Sequence, residues 1–231
     1  MILLALDTTS RFGSVAVTGR GEVLAEVNYV SPSSHSRQMF RALDEVLKIA
    51  GVQLDDLEGL AVAAGPGSFT GIRIGLSLVK ALGLASRRPI AAVSALEALA
   101  LKLVLPGASV VAPMVDARKG EVFAGAYETE GDELKSVVPP GAYRPEVFLS
   151  MLPAGREFWF IGTGANLYRQ LIVEKLGSAA LFPPRSFHLA AEVGLLGERL
   201  LARGQGVTPE KLEPIYYRKS QAEEKTTIER R

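Results

Sequence analysis

The sequence predicts an α/β protein made of two similar halves, each ordered strand-strand-strand-helix-strand-helix-strand-helix (βββαβαβα). Two observations carry this. The same order of strand-like and helix-like segments runs through residues 1–105 and again through 106–219. Each half also opens with an apolar run that ends in an aspartate-containing turn, at Asp7 and at Asp116. Repetition of one element order marks a duplicated architecture. A hydrophobic content of 48% supplies ample material for a core and excludes a disordered chain.

In the first half, Met1 to Leu6 is a continuous apolar run and reads as a buried strand. It ends in Asp7-Thr8-Thr9-Ser10. Gly13 to Thr18 alternates through Val15 and Val17 as a second strand, and Gly19-Arg20-Gly21-Glu22 is a turn. Val23 to Val30 is a third strand. Ser31-Pro32-Ser33-Ser34 starts a helix that runs to about Ala50, with Met39, Leu43, Val46 and Leu47 at helical spacing, and Gly51 stops it. Leu60 to Ala64 reads as a buried strand leading into a glycine turn and a helix over about Thr70 to Ser86. Pro89 to Val93 is a short strand, and Ser94 caps a third helix through about Val104.

After Pro106-Gly107 the order repeats. Val110 to Val115, Val122 to Tyr127 and Leu134 to Val138 are strands, and Pro145 to Leu152 is a short helix. Phe158 to Ile161 is a strand, followed by Gly162-Thr163-Gly164 and a helix to about Leu176. Ala179 to Phe182 is a strand, and His188 to Arg203 is the last long helix, which we expect to pack back on the first domain. From about Ser220 the chain is polar and charged, as in a loose tail (220–231).

The stretch Gly65-Pro66-Gly67-Ser68-Phe69-Thr70-Gly71-Ile72-Arg73-Ile74-Gly75 joins a strand to a helix N-terminus, where free N–H groups point outward. Gly65 and Gly67 permit backbone angles closed to other residues, and Pro66 fixes one φ between them. A phosphate-binding P-loop would need Gly-Lys-Ser/Thr at its end, and no lysine stands between Gly65 and Lys80. A dinucleotide fingerprint would need glycine at position 70 and an acid about twenty residues on; Thr70 and Arg87-Arg88-Pro89 stand there. A structural turn that lets the helix pack closely is the remaining reading. On a helical wheel Thr70, Arg73, Ser77 and Lys80 share one narrow stripe, while Ile72, Ile74, Leu76, Leu78, Val79, Leu82 and Ala85 fill the other directions. A helix covering one sheet face needs a narrower apolar stripe. Gly71 and Gly75, four apart, admit another backbone. The expectation is that a second helix, from this domain or from another chain, covers the extra face.

Net charge is +1, from 26 basic and 25 acidic residues, which argues against strong nucleic-acid affinity from this chain alone. The absence of cysteine excludes disulfides, thiolate metal sites and a cysteine nucleophile. The apolar run before Asp7 is too short for a signal peptide or a membrane span. A cytoplasmic protein without a membrane association is the expectation.

Two halves of this order describe the actin-like (ribonuclease H-like) architecture of sugar kinases and heat-shock ATPases. Four segments carry a closer match: Leu4-Ala5-Leu6-Asp7-Thr8-Thr9-Ser10, the glycine stretch from Gly65 to Gly75, Pro113-Met114-Val115-Asp116-Ala117-Arg118-Lys119-Gly120-Glu121-Val122, and Pro214-Ile215-Tyr216-Tyr217-Arg218. On these the chain resembles the bacterial TsaB (YeaZ) family over about residues 1 to 220. The resemblance implies an accessory subunit for threonylcarbamoyl transfer to the tRNA adenosine beside the anticodon. It implies docking onto a larger catalytic paralogue that holds a metal with a histidine pair, together with a small P-loop ATPase. Contact with tRNA would then be indirect, through the complex, and the chain alone would pair with itself. The docking face would comprise Met39, Leu43, Gly71, Ile74, Gly75, Leu78 and Leu82. No cofactor is required on this reading, with weak ATP or ADP binding left open.

The chemistry-bearing residues fit that picture. The His-x-x-x-His metal pair of the catalytic relatives is absent: His35 and His188 are the two histidines, and they stand far apart. His35 reads as a surface or capping residue and His188 as structural. Asp7 corresponds to the aspartate that sits near phosphate and magnesium in the related ATPases, but Thr8 and Thr9 follow it where a glycine would wrap the phosphate. It reads either as a vestigial nucleotide or anion site, with Thr8 and Thr9, or as a polar strand end. Asp116 is its counterpart; Arg118 and Lys119 beside it repel magnesium and attract an anion, tRNA or a partner acid, or Asp116 simply pairs with them. Gly162 and Gly164 resemble the adenosine-contacting turn of the superfamily. No Gly-x-Ser-x-Gly stretch or histidine frame supports a hydrolase. The alternative function is a stand-alone actin-like ATPase or small-molecule kinase.

Overall fold

The structure, a computed structural model, describes residues 1–31, 36–103, 110–130 and 133–218, without the side chains of Ser36 and Glu130. The predicted helix start at Pro32 to His35, the end of the third helix at Val104, the Pro106-Gly107 junction and the tail from Ser220 lie outside the described residues.

The first half contains β1 (Ile2–Asp7), β2 (Phe12–Gly19), β3 (Glu22–Val30), α1 (Ser36–Ala50), β4 (Gly59–Gly65), α2 (Phe69–Ser86), β5 (Ile90–Ser94) and α3 (Ala95–Leu101). The second contains β6 (Val110–Arg118), β7 (Glu121–Glu130), β8 (Glu133–Tyr143), α4 (Pro145–Ser150), β9 (Phe158–Ile161), α5 (Thr163–Leu167), α6 (Arg169–Leu176), β10 (Ala180–Leu181) and α7 (Ala190–Ala202). Each half forms a five-stranded sheet, ordered β3-β2-β1-β4-β5 and β8-β7-β6-β9-β10. In both, the first strand pairs antiparallel with the second and parallel with the fourth. The duplicated order read from the sequence is therefore a duplicated topology.

Alternation along the strands divides the core into layers, because successive side chains point to opposite sheet faces. On β1, β2 and β4 the residues Leu4, Leu6, Val15, Val17, Leu60 and Val62 face α1 and α2. Their neighbours Ala5, Ala16, Ala61 and Ala63 face α3 and α7 between the two sheets. A further core, including Met114, Val122, Phe148, Phe158, Phe160 and Ile172, lies under α4, α5 and α6.

The alanine face explains how α7, which follows the second sheet in sequence, packs on the first sheet. An added Cβ at Gly197 would lie 2.6 Å from the Ala61 Cβ. Small residues on both sides let the helix approach closely. Ser14 on β2 caps α7 from across the fold: its hydroxyl oxygen accepts from Leu189 N (3.1 Å) and Ala190 N (2.9 Å).

Some boundaries differ from the sequence reading. The helix expected after Gly164 is two helices, α5 and α6, because Tyr168 leaves helical geometry at φ −103°, ψ 20°. Strand β8 continues past Val138 through Pro139 and Pro140 to Tyr143. Proline is tolerated there because β8 is the edge of its sheet. Among the described residues, α2 is the one helix long and apolar enough to cross a membrane by length and composition. It lies instead against β4, with Ile72, Leu76 and Val79 buried.

Candidate functional site

The glycine stretch after β4 is built around the turn after β1. Gly65 has φ 121°, a conformation that favours glycine, and the Gly65–Pro66 peptide is cis. Ser68 caps α2, its side chain accepting from Gly71 N at 3.3 Å. The Ser68 N–H donates to the Thr9 carbonyl oxygen at 2.6 Å, and the Thr8 hydroxyl donates to the Gly71 carbonyl oxygen at 2.7 Å. An added Cβ at Gly67 would overlap the Thr9 carbonyl oxygen, and one at Gly71 the Thr8 carbonyl oxygen; at Gly75 it would stand 2.6 Å from the Thr8 hydroxyl.

These contacts correct the expectation that Gly71 and Gly75 receive a helix from elsewhere. Both are buried, and what approaches them is the Thr8 turn of their own domain. Met39 is likewise buried, at 2% exposure. Leu43, Ile74, Leu78 and Leu82 are half-buried and pack on the edge of the same core.

Between α1 and α2 lies an open groove of about 730 Å³. Met39 and Phe40 line it from α1, and Ile74, Leu78 and Ala81 from α2. Thr70, Arg73 and Ser77, three of the four residues of the polar stripe, face it from α2 as well. Phe40 is 57% exposed. At one end the Arg73 guanidinium lies 3.8 Å over the Phe69 ring, which also stacks on Tyr216 at 5.2 Å. Phe40 is not among the residues the sequence points to, and Phe69 enters there only within the glycine stretch. A phenylalanine beside the Met39 position but off the buried stripe was the available signal for Phe40.

The aspartate turns differ in exposure. Asp7 is fully buried. Its Oδ1 accepts from the Thr9 amide at 2.8 Å and the Thr9 hydroxyl at 2.7 Å, while Oδ2 has no partner among the described residues. Burial pushes its carboxyl up to about 6, against the two Thr9 hydrogen bonds and the charge of Lys102. Lys102 pairs with Glu192 at 2.7 Å, at the junction of α3 and α7. Burial holds the Glu192 carboxyl above its ordinary value, opposed by Lys102. The hydroxyls of Thr8 and Thr9 are thus engaged inside the chain.

Asp116 is half-buried near the end of β6. Its amide donates to Thr163 Oγ1 at 3.1 Å, and its carboxylate accepts from the Arg118 amide at 2.8 Å and pairs with the Arg118 guanidinium at 3.4 Å. The Arg118 side chain is 84% exposed. Gly162 has φ 110°, and an added Cβ there would overlap the Met114 carbonyl oxygen; one at Gly164 would lie 3.0 Å from it. Gly162 and Gly164 therefore press on β6 at Met114 and Val115, as Gly67 and Gly71 press on the turn after β1. The structure does not gather the predicted residues into one site: Asp7 is enclosed, Asp116 is half-buried beside an exposed Arg118, and the groove lies apart from both, on α1 and α2.

His188 contacts Ser186 Oγ (2.8 Å) and the Tyr29 carbonyl oxygen (3.2 Å) through its ring nitrogens, as a packing residue does. His35 lies outside the described residues. Among those described, no group of three His, Cys, Asp or Glu side chains is gathered to hold a metal ion.

The chain matches the family described as tRNA N6-adenosine threonylcarbamoyltransferase (TsaD) over residues 23–226. It is 32% identical to tRNA threonylcarbamoyladenosine biosynthesis protein TsaB of Bacillus subtilis, over 97% of both chains. Among solved structures, YeaZ from Pseudomonas aeruginosa superposes with a TM-score of 0.80 at 32% identity, covering 93% of this chain and 99% of that one. ROK hexokinase from Thermus thermophilus, at 13% identity and a TM-score of 0.51, shares the duplicated actin-like fold.

Proposed function

The chain belongs to the TsaB (YeaZ) family of tRNA threonylcarbamoyladenosine biosynthesis proteins, and on that premise we propose that it is a non-catalytic accessory subunit. It acts in transfer of the threonylcarbamoyl group to the tRNA adenosine beside the anticodon, by docking a larger catalytic paralogue that carries a metal-binding histidine pair. The single observation that carries this reading is the open groove between α1 and α2, with half-buried Ile74 and Leu78 and exposed Phe40 along it. Apolar side chains gathered beside a polar rim suit a protein partner.

Docking there holds the paralogue's own cleft in an active shape and helps form the surface for a small P-loop ATPase. Contact with tRNA comes through the assembled complex. Without the paralogue, the same groove pairs two copies of this chain. The enclosed Asp7 turn supports a role outside the chemistry, since its Thr8 and Thr9 hydroxyls are committed to Gly71 and Asp7. No cofactor enters this account; weak binding of ATP or ADP is compatible with it. A cytoplasmic location follows from the tRNA substrate of the complex.

Reconstitution of threonylcarbamoyl transfer tests the proposal. The purified paralogue, the P-loop ATPase, the adenylate donor and tRNA are assayed with and without this chain. The expected result is strong stimulation by the chain, equal for wild type and Asp7→Asn. Magnesium-dependent ATP turnover by the isolated chain, abolished by Asp7→Ala in a folded variant, would instead establish a stand-alone ATPase or small-molecule kinase.

A further inference from the structure

The segment after α7 has little regular structure, yet it is anchored along its whole length. Val207 bridges Ile90 at the edge of the first sheet, with N–H to O distances of 3.0 and 2.8 Å. Pro209 packs against Gly83 of α2. Leu212 is 1% exposed in the core under α1 and α2. The Ile215 N–H donates to the Ala64 carbonyl oxygen at 2.8 Å, and an added Cβ at Gly65 would stand 2.5 Å from the Ile215 carbonyl oxygen.

The next three residues cross from one half to the other. Tyr216 stacks on Phe69 at the first turn of α2, at an interplanar angle of 22°. Tyr217 meets Phe123 on β7, with ring centroids 6.3 Å apart. Arg218 donates from Nη2 to the Ala117 carbonyl oxygen at 2.9 Å and pairs through Nη1 with Glu121 at 2.7 Å. Ala117 and Glu121 flank the turn between β6 and β7.

That turn is costly on its own. Arg118 and Lys119 both have positive φ, 63° and 54°, before Gly120 at 77°. Consecutive non-glycine residues in the left-handed region are uncommon and need support from their surroundings. The support here comes from the Asp116 carboxylate on the Arg118 amide and from Arg218 on both flanks.

We propose that residues 207–218 form a strap that couples the α2 end of the groove to the Arg118–Lys119 turn of the other half. Its three consecutive side chains make one path: Phe69 to Tyr216, through Tyr217, to Arg218 and the turn. The strap opens and closes as one unit, so loosening either end loosens the other. This extends the docking reading, on which its consequence rests: a partner seated in the groove against Phe69 and Arg73 also orders a basic turn in the second half.

The test is hydrogen exchange on the full chain without any partner, so its outcome is independent of whether the groove docks the paralogue. Coupling of this kind is reciprocal and shows as local opening. Tyr216→Ala is expected to accelerate exchange of the amides at 117–122 by about tenfold, a factor within the range of one lost aromatic contact. Arg218→Ala is expected to accelerate exchange in the first turn of α2, residues 69–73, while amides in β1 and β4 keep their rates. The combined variant should show less than the product of the two effects. Acceleration confined to each variant's own neighbourhood, or multiplicative effects in the combined variant, would overturn the strap. Failure of a groove variant to weaken paralogue binding would overturn the docking reading and leave this result standing.

Discussion

The Thr8 hydroxyl donates to the Gly71 carbonyl oxygen at 2.7 Å, tying the turn after β1 to the first turn of α2. The backbone of Thr8 lies so close to Gly71 that no other residue fits there without displacement. Two segments more than sixty positions apart thus explain each other. The glycine on α2 accommodates the threonine.

Gly71→Ala is therefore expected to destabilise the isolated chain by about 1–3 kcal/mol, the usual cost of overpacking, because the added methyl meets backbone. Gly75→Ala overlaps the Thr8 side chain hydroxyl at 2.6 Å and reaches Val62 at an ordinary 3.5 Å, so Thr8→Ala in the same chain should recover part of its loss. Urea unfolding of the two single variants and the Gly75/Thr8 pair measures this. A full-length melt unchanged by Gly71→Ala would contradict the packing described.

Asp7 sets a pH dependence. Burial raises its carboxyl to about 6 from 3.8, so the folded state binds a proton that the unfolded chain has already released. Its contribution is fully present below about pH 4 and is lost as pH rises through about 6. Relative to Asp7→Asn, the wild type should lose roughly 3 kcal/mol between pH 4 and pH 7, from about two units at 1.36 kcal/mol each. The asparagine keeps an oxygen to accept from Thr9. Thermal melts of both proteins across that range give the difference directly; a difference flat with pH would show that Asp7 is ionised at its ordinary value.

Ser14 anchors the start of α7 on the first sheet. Ser14→Ala removes the acceptor for two buried amides, Leu189 and Ala190. The expected cost is about 1–2 kcal/mol, as for loss of a helix cap. Faster exchange at the first turn of α7, with β1 unaffected, would mark the loss as local to the cap.

The fold was legible because its evidence is local and repeated. Apolar runs such as Leu60 to Ala64 and alternation through Val15 and Val17 fix strand type, and the second half repeats the first. The glycine motif was legible as a close approach but not as an approach by Thr8, because Gly71 and Gly75 state only that something comes near. Their assignment to a partner followed from the breadth of the apolar surface of α2, part of which faces β4 and part the groove beside α1. Phe40 is not legible in the sequence because it stands just off the Met39–Leu43 stripe. The strap at Leu212 to Arg218 has no periodicity to read; its anchors at Ala64, Phe69 and Ala117 are all distant in sequence.

The central claim is that the α1–α2 groove docks the catalytic paralogue. Titration calorimetry of the purified paralogue against wild type and Phe40→Asp tests it most directly. Phe40 is 57% exposed, so the variant should melt with the wild type. The account predicts at least about tenfold weaker binding, the loss of one apolar anchor at an interface. Wild-type affinity in a folded Phe40→Asp chain would contradict the account and place the docking surface elsewhere.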